Sequence, residues 1–229
     1  MMLSLIIGVV LISVSICAII GIQMHRSTIR RYGRVIEQQI FIIDKTLSMF
    51  IQNGKNMADS LSKQRLLRLA KAENFPNYIR GGLEDLDGED KLHYQDVKNM
   101  FGTIRDTYPE IEDVFMGTRW GGFAVLHEAE DMRGFDPRER PWYKDAMKVP
   151  DKVILTKAYK SNTGNMVISF AKAVLSPNSS EIIGVVGIDV SLAKLDMFMA
   201  SIKIGKSGYC LLLEEDGTIL VDPKHKEVT

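Results

Sequence analysis

The 229 residues are 45% hydrophobic and 25% charged, and 29 Lys and Arg are matched by 29 Asp and Glu. This composition excludes an intrinsically disordered chain and offers no basic field for nucleic acid, and no basic stripe with interleaved aromatics occurs. Two cysteines, Cys17 and Cys210, are too few and too differently placed for a disulfide framework or a thiolate metal site.

Met1 to Met24 contains no charged side chain, and Leu3 to Ile22 reads LSLIIGVVLISVSICAIIGI. About 20 predominantly apolar residues in a helix span roughly 30 Å of hydrocarbon, so residues 1–24 are expected to be a membrane anchor. A cleaved signal peptide would need a basic n-region and a small-residue cleavage site, and neither is present. Arg26, Arg30, Arg31 and Arg34 follow the run, and by the positive-inside rule they would hold that flank in the cytoplasm. Long domains nevertheless translocate largely regardless of such charges.

Beyond the anchor, Ile29, Ile36, Ile40, Ile43, Leu47 and Phe50 recur at spacings of 7, 4, 3, 4 and 3, the rhythm of a helix with a narrow apolar seam. No Pro or Gly interrupts Arg34 to Asn53, and helical character is expected to extend to Ala72. The seam could bind a second copy of the chain or the chain's own core. Pro76 and Gly81-Gly82 end this region, and LEDLDGED (Leu83–Asp90) reads as a solvated loop whose spacing does not match a calcium loop. Leu92 to Tyr108 is a further helix candidate, with Val97, Met100 and Ile104 on one face.

From Ile111 the chain offers short β-rich runs: Asp113–Thr118, Gly122–His127, Val153–Tyr159, Asn165–Val174 and Glu181–Ser191. Trp120-Gly121-Gly122, Asn162-Thr163-Gly164 and Pro177-Asn178 have hairpin chemistry, so one antiparallel sheet is predicted. Helices first and strands later give an α+β fold. Leu192 to Ile204 reads as helix, and Tyr209–Leu213 with Gly217–Val221 reads as the hairpin that opens a new unit.

One segment concentrates functional chemistry. GFDPRERPWYKDAM (Gly134–Met147) reads as a loop stiffened by Pro137 and Pro141, with Arg140 offering a planar fork for a carboxylate beside Trp142 and Tyr143. The alternative is that Arg140 pairs internally with Asp136 or Glu139. Asp189, alone in the apolar run GVVGIDVS, either caps the following helix or faces a polar cavity, since an unpaired buried carboxyl is costly. Opposite Arg140 it would complete a pocket for a zwitterion. His25, His93, His127 and His225 occur singly, without HExxH, a Cys-His pair, G-x-S-x-G or a phosphate-cradling glycine loop. No enzyme activity, cofactor or metal is therefore expected.

Taken together, IEDVFMGTRWGGF (Ile111–Phe123), FDPRERPWY (Phe135–Tyr143), TGNMVISFAKAV and EIIGVVGIDVSL (Glu181–Leu192) resemble the double Cache sensor family of chemoreceptors, sensor histidine kinases and cyclases, and IGKSGYCLLLEEDGTILVDP (Ile204–Pro223) resembles the start of its second module. The resemblance implies an anchor (1–24), a stalk helix (25–72), a PAS-like membrane-distal module (73–204) and the beginning of a membrane-proximal module (205–229). It also implies a cell-membrane location with the sensor outside, and an output domain of methyl-accepting, kinase or cyclase type; the homodimer is expected from the apolar seam of the long helix. Family members that bind amino acids hold the ligand carboxylate with an Arg-x-Trp-Tyr element and the ammonium with a later Asp, which match Arg140, Trp142, Tyr143 and Asp189, with Tyr159 as an auxiliary aromatic. Two positions depart: Phe135 stands where a Tyr is expected, and Ser161 stands where many members have Asp. A lost head-group contact of this kind costs roughly 1–3 kcal/mol, enough to change ligand class. The implied ligand is an amino acid, or else another small carboxylate or amine; a module that binds no small molecule is the competing reading.

Overall fold

The structure is a computed structural model that describes residues 2–202, 204–205, 208–214 and 216–225; the side chains of residues 2–12, 14 and 85 lie outside the description. Helix α1 runs without interruption over Met2–Ser62 and is followed by the single turn α2 (Arg65–Arg68). Among the described residues no helix is long and apolar enough to cross a membrane; of the expected anchor, Met1 and the side chains of residues 2–12 and 14 lie outside the description.

The chain divides into two units, Met1–Ser48 with Ile204–Gly208, and Met49–Lys203 with Tyr209–Thr229. In the first, the helix presents Ile29, Ile36 and Ile40 on its exposed surface, and Gln39 Oε1 accepts a hydrogen bond from the Gly205 amide at 3.2 Å.

The second unit is built on a six-stranded, wholly antiparallel sheet. Its strands are β1 (Ile111–Thr118), β2 (Phe123–Val125), β3 (Ile154–Leu155), β4 (Tyr159–Lys160), β5 (Met166–Leu175) and β6 (Ile182–Ser191). They are ordered β2-β1-β6-β5-β3, with β4 also paired to β5. β6 reads IIGVVGIDVS and is buried along nearly its whole length, so it lacks the alternation of a half-exposed strand: both of its faces are covered. A separate hairpin joins β7 (Leu212–Leu213) to β8 (Ile219–Val221).

One face of the sheet receives the Met49–Ser62 part of α1. Gly54 permits that approach, because a Cβ there would lie 2.3 Å from the Phe170 ring of β5. Phe50 meets the same ring edge-on at 6.3 Å, and Asp59 pairs with Lys172, two residues further along β5. Helix α3 (Gly88–Thr107) packs along β1 and β2, burying Val97 and Phe101, and helix α5 (Leu192–Ser201) follows β6. The expected α3 thus begins four residues earlier than Leu92, inside the acidic stretch, where Glu89 and Asp90 suit the positive end of a helix.

The opposite face holds Phe115, Ala171 and Val185, on which α4 (Pro141–Lys148) packs Trp142, Tyr143 and Ala146. This corrects the reading of Gly134–Met147 as a loop: Pro137–Glu139 is a 3₁₀ turn and Pro141 starts a helix, since proline at the first helical position forfeits no hydrogen bond.

Candidate ligand-binding site

The site grows from one cross-strand row. In the antiparallel register Asp189 of β6 stands opposite Asp113 of β1 on one side and Ser169 of β5 on the other, so three polar side chains share the α4 face of the sheet. Asp113 is satisfied by backbone, accepting N–H bonds from Val114 at 2.8 Å and from Leu126 and His127 at 3.2 Å. Asp189 is instead served by hydroxyls: Oδ1 accepts from Tyr159 Oη at 3.0 Å and from Ser169 Oγ, and these two oxygens lie 2.7 Å apart. Two hydroxyl protons cannot serve three oxygen–oxygen contacts; the third is available when Asp189 is itself protonated. Burial pushes the Asp189 carboxyl up to about 7, reinforced by Asp113 and opposed by the two hydroxyls and by Arg140. Burial likewise raises Asp113 to about 7 against its backbone donors. Asp189 is 2% exposed and is no helix cap; Ser191 occupies that position, without a side-chain capping bond.

Arg140 faces this row from the start of α4. Its guanidinium carbon lies 5.7 Å from the centre of the Phe135 ring and 5.5 Å from that of Tyr159, and Nη2 donates to the Lys160 carbonyl. The acids proposed as internal partners are engaged elsewhere, Asp136 with Arg138 at 2.8 Å and Glu139 with Lys144 at 2.5 Å. Its guanidinium can therefore be won by a ligand carboxylate at the cost of one hydrogen bond to a neutral carbonyl.

Arg140, Asp189, Trp142, Tyr159 and Phe135 all line one cavity with Phe115, Phe123 and Asn162. Its volume is about 10 Å³, roughly the space of one water molecule, so an amino-acid-sized molecule enters only if the walls part. Two of the residues singled out from sequence are not brought to it. Tyr143 is buried in the core beneath, its ring 5.7 Å from Trp142, and Ser161 turns to Thr163 Oγ1 at 3.0 Å. Conversely, Asn162, Ser169 and the aromatic pair Phe115 and Phe123 were missed. Alternation along NMVISF could have found Ser169, since a polar residue two positions from apolar partners marks the same strand face. A groove of about 450 Å³ lies on the α1 face between Phe50–Ser60 and the sheet, but among the described residues Glu110 is the only charged one lining it. Unlike that groove, the smaller cavity on the α4 face sets a cation, Arg140, against a buried carboxyl, Asp189.

The Cache domain sequence model matches residues 35–229. The methyl-accepting chemotaxis protein McpB of Bacillus subtilis is 26% identical over 175 residues, 76% of this chain and 26% of that protein. A probable methyl-accepting chemotaxis protein of Bacillus thuringiensis is 32% identical over 140 residues, 61% of this chain and 20% of that protein. The chain thus spans about a quarter or less of these relatives. Among solved structures, the ligand-binding domain of the Campylobacter jejuni chemoreceptor Tlp3, in complex with 4-methylisoleucine, superposes with a TM-score of 0.62 at 18% identity, covering 86% of this chain and 73% of that one. The corresponding domain of the Pseudomonas aeruginosa amino acid chemoreceptor PctC, in complex with GABA, gives 0.52 at 21% identity, covering 77% and 69%. The cross-strand carboxyl row, the α4 arginine and the match over residues 35–229 lead to one conclusion: this chain belongs to the Cache domain family.

Proposed function

We propose that this chain is the extracytoplasmic sensor region of a membrane-anchored chemoreceptor and that its cavity binds a small amino acid. The observation that carries the reading is the confrontation of Arg140 with the buried Asp189 across aromatic walls. The ligand carboxylate takes the Arg140 fork from the Lys160 carbonyl, and the ligand ammonium takes Asp189 as a charge-assisted acceptor. Trp142, Phe115, Phe123 and Phe135 leave the remainder of the ligand only apolar contacts, which suits an aliphatic side chain. The Tlp3 domain, described in complex with L-valine and L-norvaline, has the same fold. Phe135 supplies no hydroxyl, and Tyr143 supports Trp142 from the core.

In this reading residues 1–24 anchor the chain, 25–72 form the stalk, 73–204 the membrane-distal module, and 205–229 open the membrane-proximal one. The exposed apolar side chains Ile29, Ile36 and Ile40 on α1 support a homodimer along the stalk. Isothermal titration of the chain in detergent against the twenty L-amino acids tests the ligand; absence of heat at millimolar concentrations would sink it.

A further inference from the structure

Five of the eight side chains around the cavity are aromatic, and three carry amide, guanidinium or carboxyl groups: Arg140, Asp189 and Asn162. Asn162 lies in the turn that joins β4 to β5, shaped by hydrogen bonds from the Ser161 amide to the Asn165 carbonyl at 2.9 Å and from the Gly164 amide to the Ser161 carbonyl at 3.2 Å. Its amide nitrogen donates to the His127 carbonyl at 2.9 Å. A carbonyl oxygen can only accept, so chemistry fixes which end of the amide points there, and Oδ1 is left as an acceptor. The His127 backbone is itself held, since its N–H donates to Asp113 at 3.2 Å. Asn162 is thus oriented before any ligand arrives, and an oriented acceptor loses little freedom on binding.

We propose that Asn162 is a ligand-recognition residue whose Oδ1 accepts a hydrogen bond from the ligand ammonium, taking the place that Ser161, turned to Thr163, does not fill. This rests on the amino-acid reading above and narrows it. With a neutral amide beside Asp189, the cavity holds one cation and one carboxyl. It therefore selects ligands with a single ammonium and a single carboxylate over dibasic ones, whose second charge would be desolvated without a partner.

The competing role for Asn162 is a tether that merely holds the turn against His127. Two substitutions separate the roles. Asn162→Ala removes acceptor and tether together, whereas Asn162→Asp keeps an acceptor but sets a carboxylate oxygen against the His127 carbonyl, breaking the tether. Wild type and both variants are titrated calorimetrically in detergent with the tightest-binding of the twenty L-amino acids, after thermal denaturation has verified that each is folded. Recognition predicts that Asn162→Ala weakens binding about tenfold or more while Asn162→Asp binds as well as wild type or better. Equal weakening in both variants, or none in either, overturns the inference and leaves the amino-acid reading standing. A wild-type chain that binds no amino acid overturns both.

Discussion

Replacing Arg140 with Ala separates a receptor from a purely structural module. In the free protein the side chain contributes one hydrogen bond to the Lys160 carbonyl and rests against Phe135 and Tyr159. That bond is worth about 0.5–1.5 kcal/mol and the ring contacts about 0.5–1 kcal/mol each at a partly exposed site. After discounting for solvent, the substitution costs about 1–2 kcal/mol of stability, a fall of roughly 2–8 °C in Tm for a unit of this size. Against a ligand carboxylate the fork makes two charge-assisted bonds of about 1.5–3 kcal/mol each, from which the surrendered Lys160 bond is deducted. The net loss of binding is about 1.5–5.5 kcal/mol, on the order of ten- to ten-thousand-fold in Kd. Calorimetric titration with amino acids and circular-dichroism melting measure the two quantities on the same sample. A variant that still binds within threefold of wild type refutes the role of Arg140 in recognition, and one that is unfolded at 25 °C refutes the view that the residue is spared from the fold.

Because burial holds Asp189 and Asp113 protonated up to about pH 7, the native state keeps protons that the unfolded chain releases from about pH 4 upward. Stability in urea should therefore decline as pH rises from about 4 to 7 and level off above, and Asp189→Asn should flatten part of the slope; a rising profile contradicts the assignment. An ammonium ligand needs the ionised carboxylate, so affinity should climb with pH toward about 7 and then plateau, and a profile flat from pH 5.5 to 8 would remove Asp189 from the ammonium site. Trp142→Ala deletes the largest side chain that α4 packs on the sheet and should cost about 3–5 kcal/mol in chemical denaturation. Gly187→Ala sets a Cβ 2.3 Å from the Phe115 ring at the cavity wall, and Gly54→Ala does the same to Phe170 on the opposite face. Each should lose about 1–3 kcal/mol, but only Gly187→Ala should also weaken ligand binding.

The α+β class and the strand positions were legible because apolar runs bounded by Gly, Asn and Pro are local signals. Asp113–Thr118, Asn165–Val174 and Glu181–Ser191 fall within a residue or two of β1, β5 and β6. Val153–Tyr159 reads as one strand yet yields the separate pairs β3 and β4, both on β5, because the backbone leaves the ladder between Thr156 and Ala158. The pairing of β1 with β6, some seventy residues apart, leaves no local trace, and it is this pairing that sets Asp113 against Asp189. Helix α4 is not evident while Pro137 and Pro141 are weighed as loop stiffeners, although proline in the first turn, as Pro141 is here, is also a helix-start signal.

For the site, the residue types were readable and the side-chain directions were not. Arg140, Trp142, Phe135, Tyr159 and Asp189 meet at one cavity because α4 lies across the face of β5 and β6 that carries Ser169 and Asp189. Which of Ser161 and Asn162 points inward is decided by a turn, where the period-2 rule of strands lapses, and the His127 carbonyl captures Asn162. The same alternation within β5 ties the two faces together. Ser169 bonds Asp189, its neighbour Phe170 presses on α1 at Gly54, and Lys172 pairs with Asp59 of that helix. Within the four residues from Ser169 to Lys172, one strand therefore touches both the buried Asp189 carboxyl and the part of α1 that packs on the sheet. A close-packed interior transmits a displacement of one such neighbour to the next instead of absorbing it in a void. The strand that sets Ser169 beside Asp189 is thereby also in direct contact with the Met49–Ser62 part of α1.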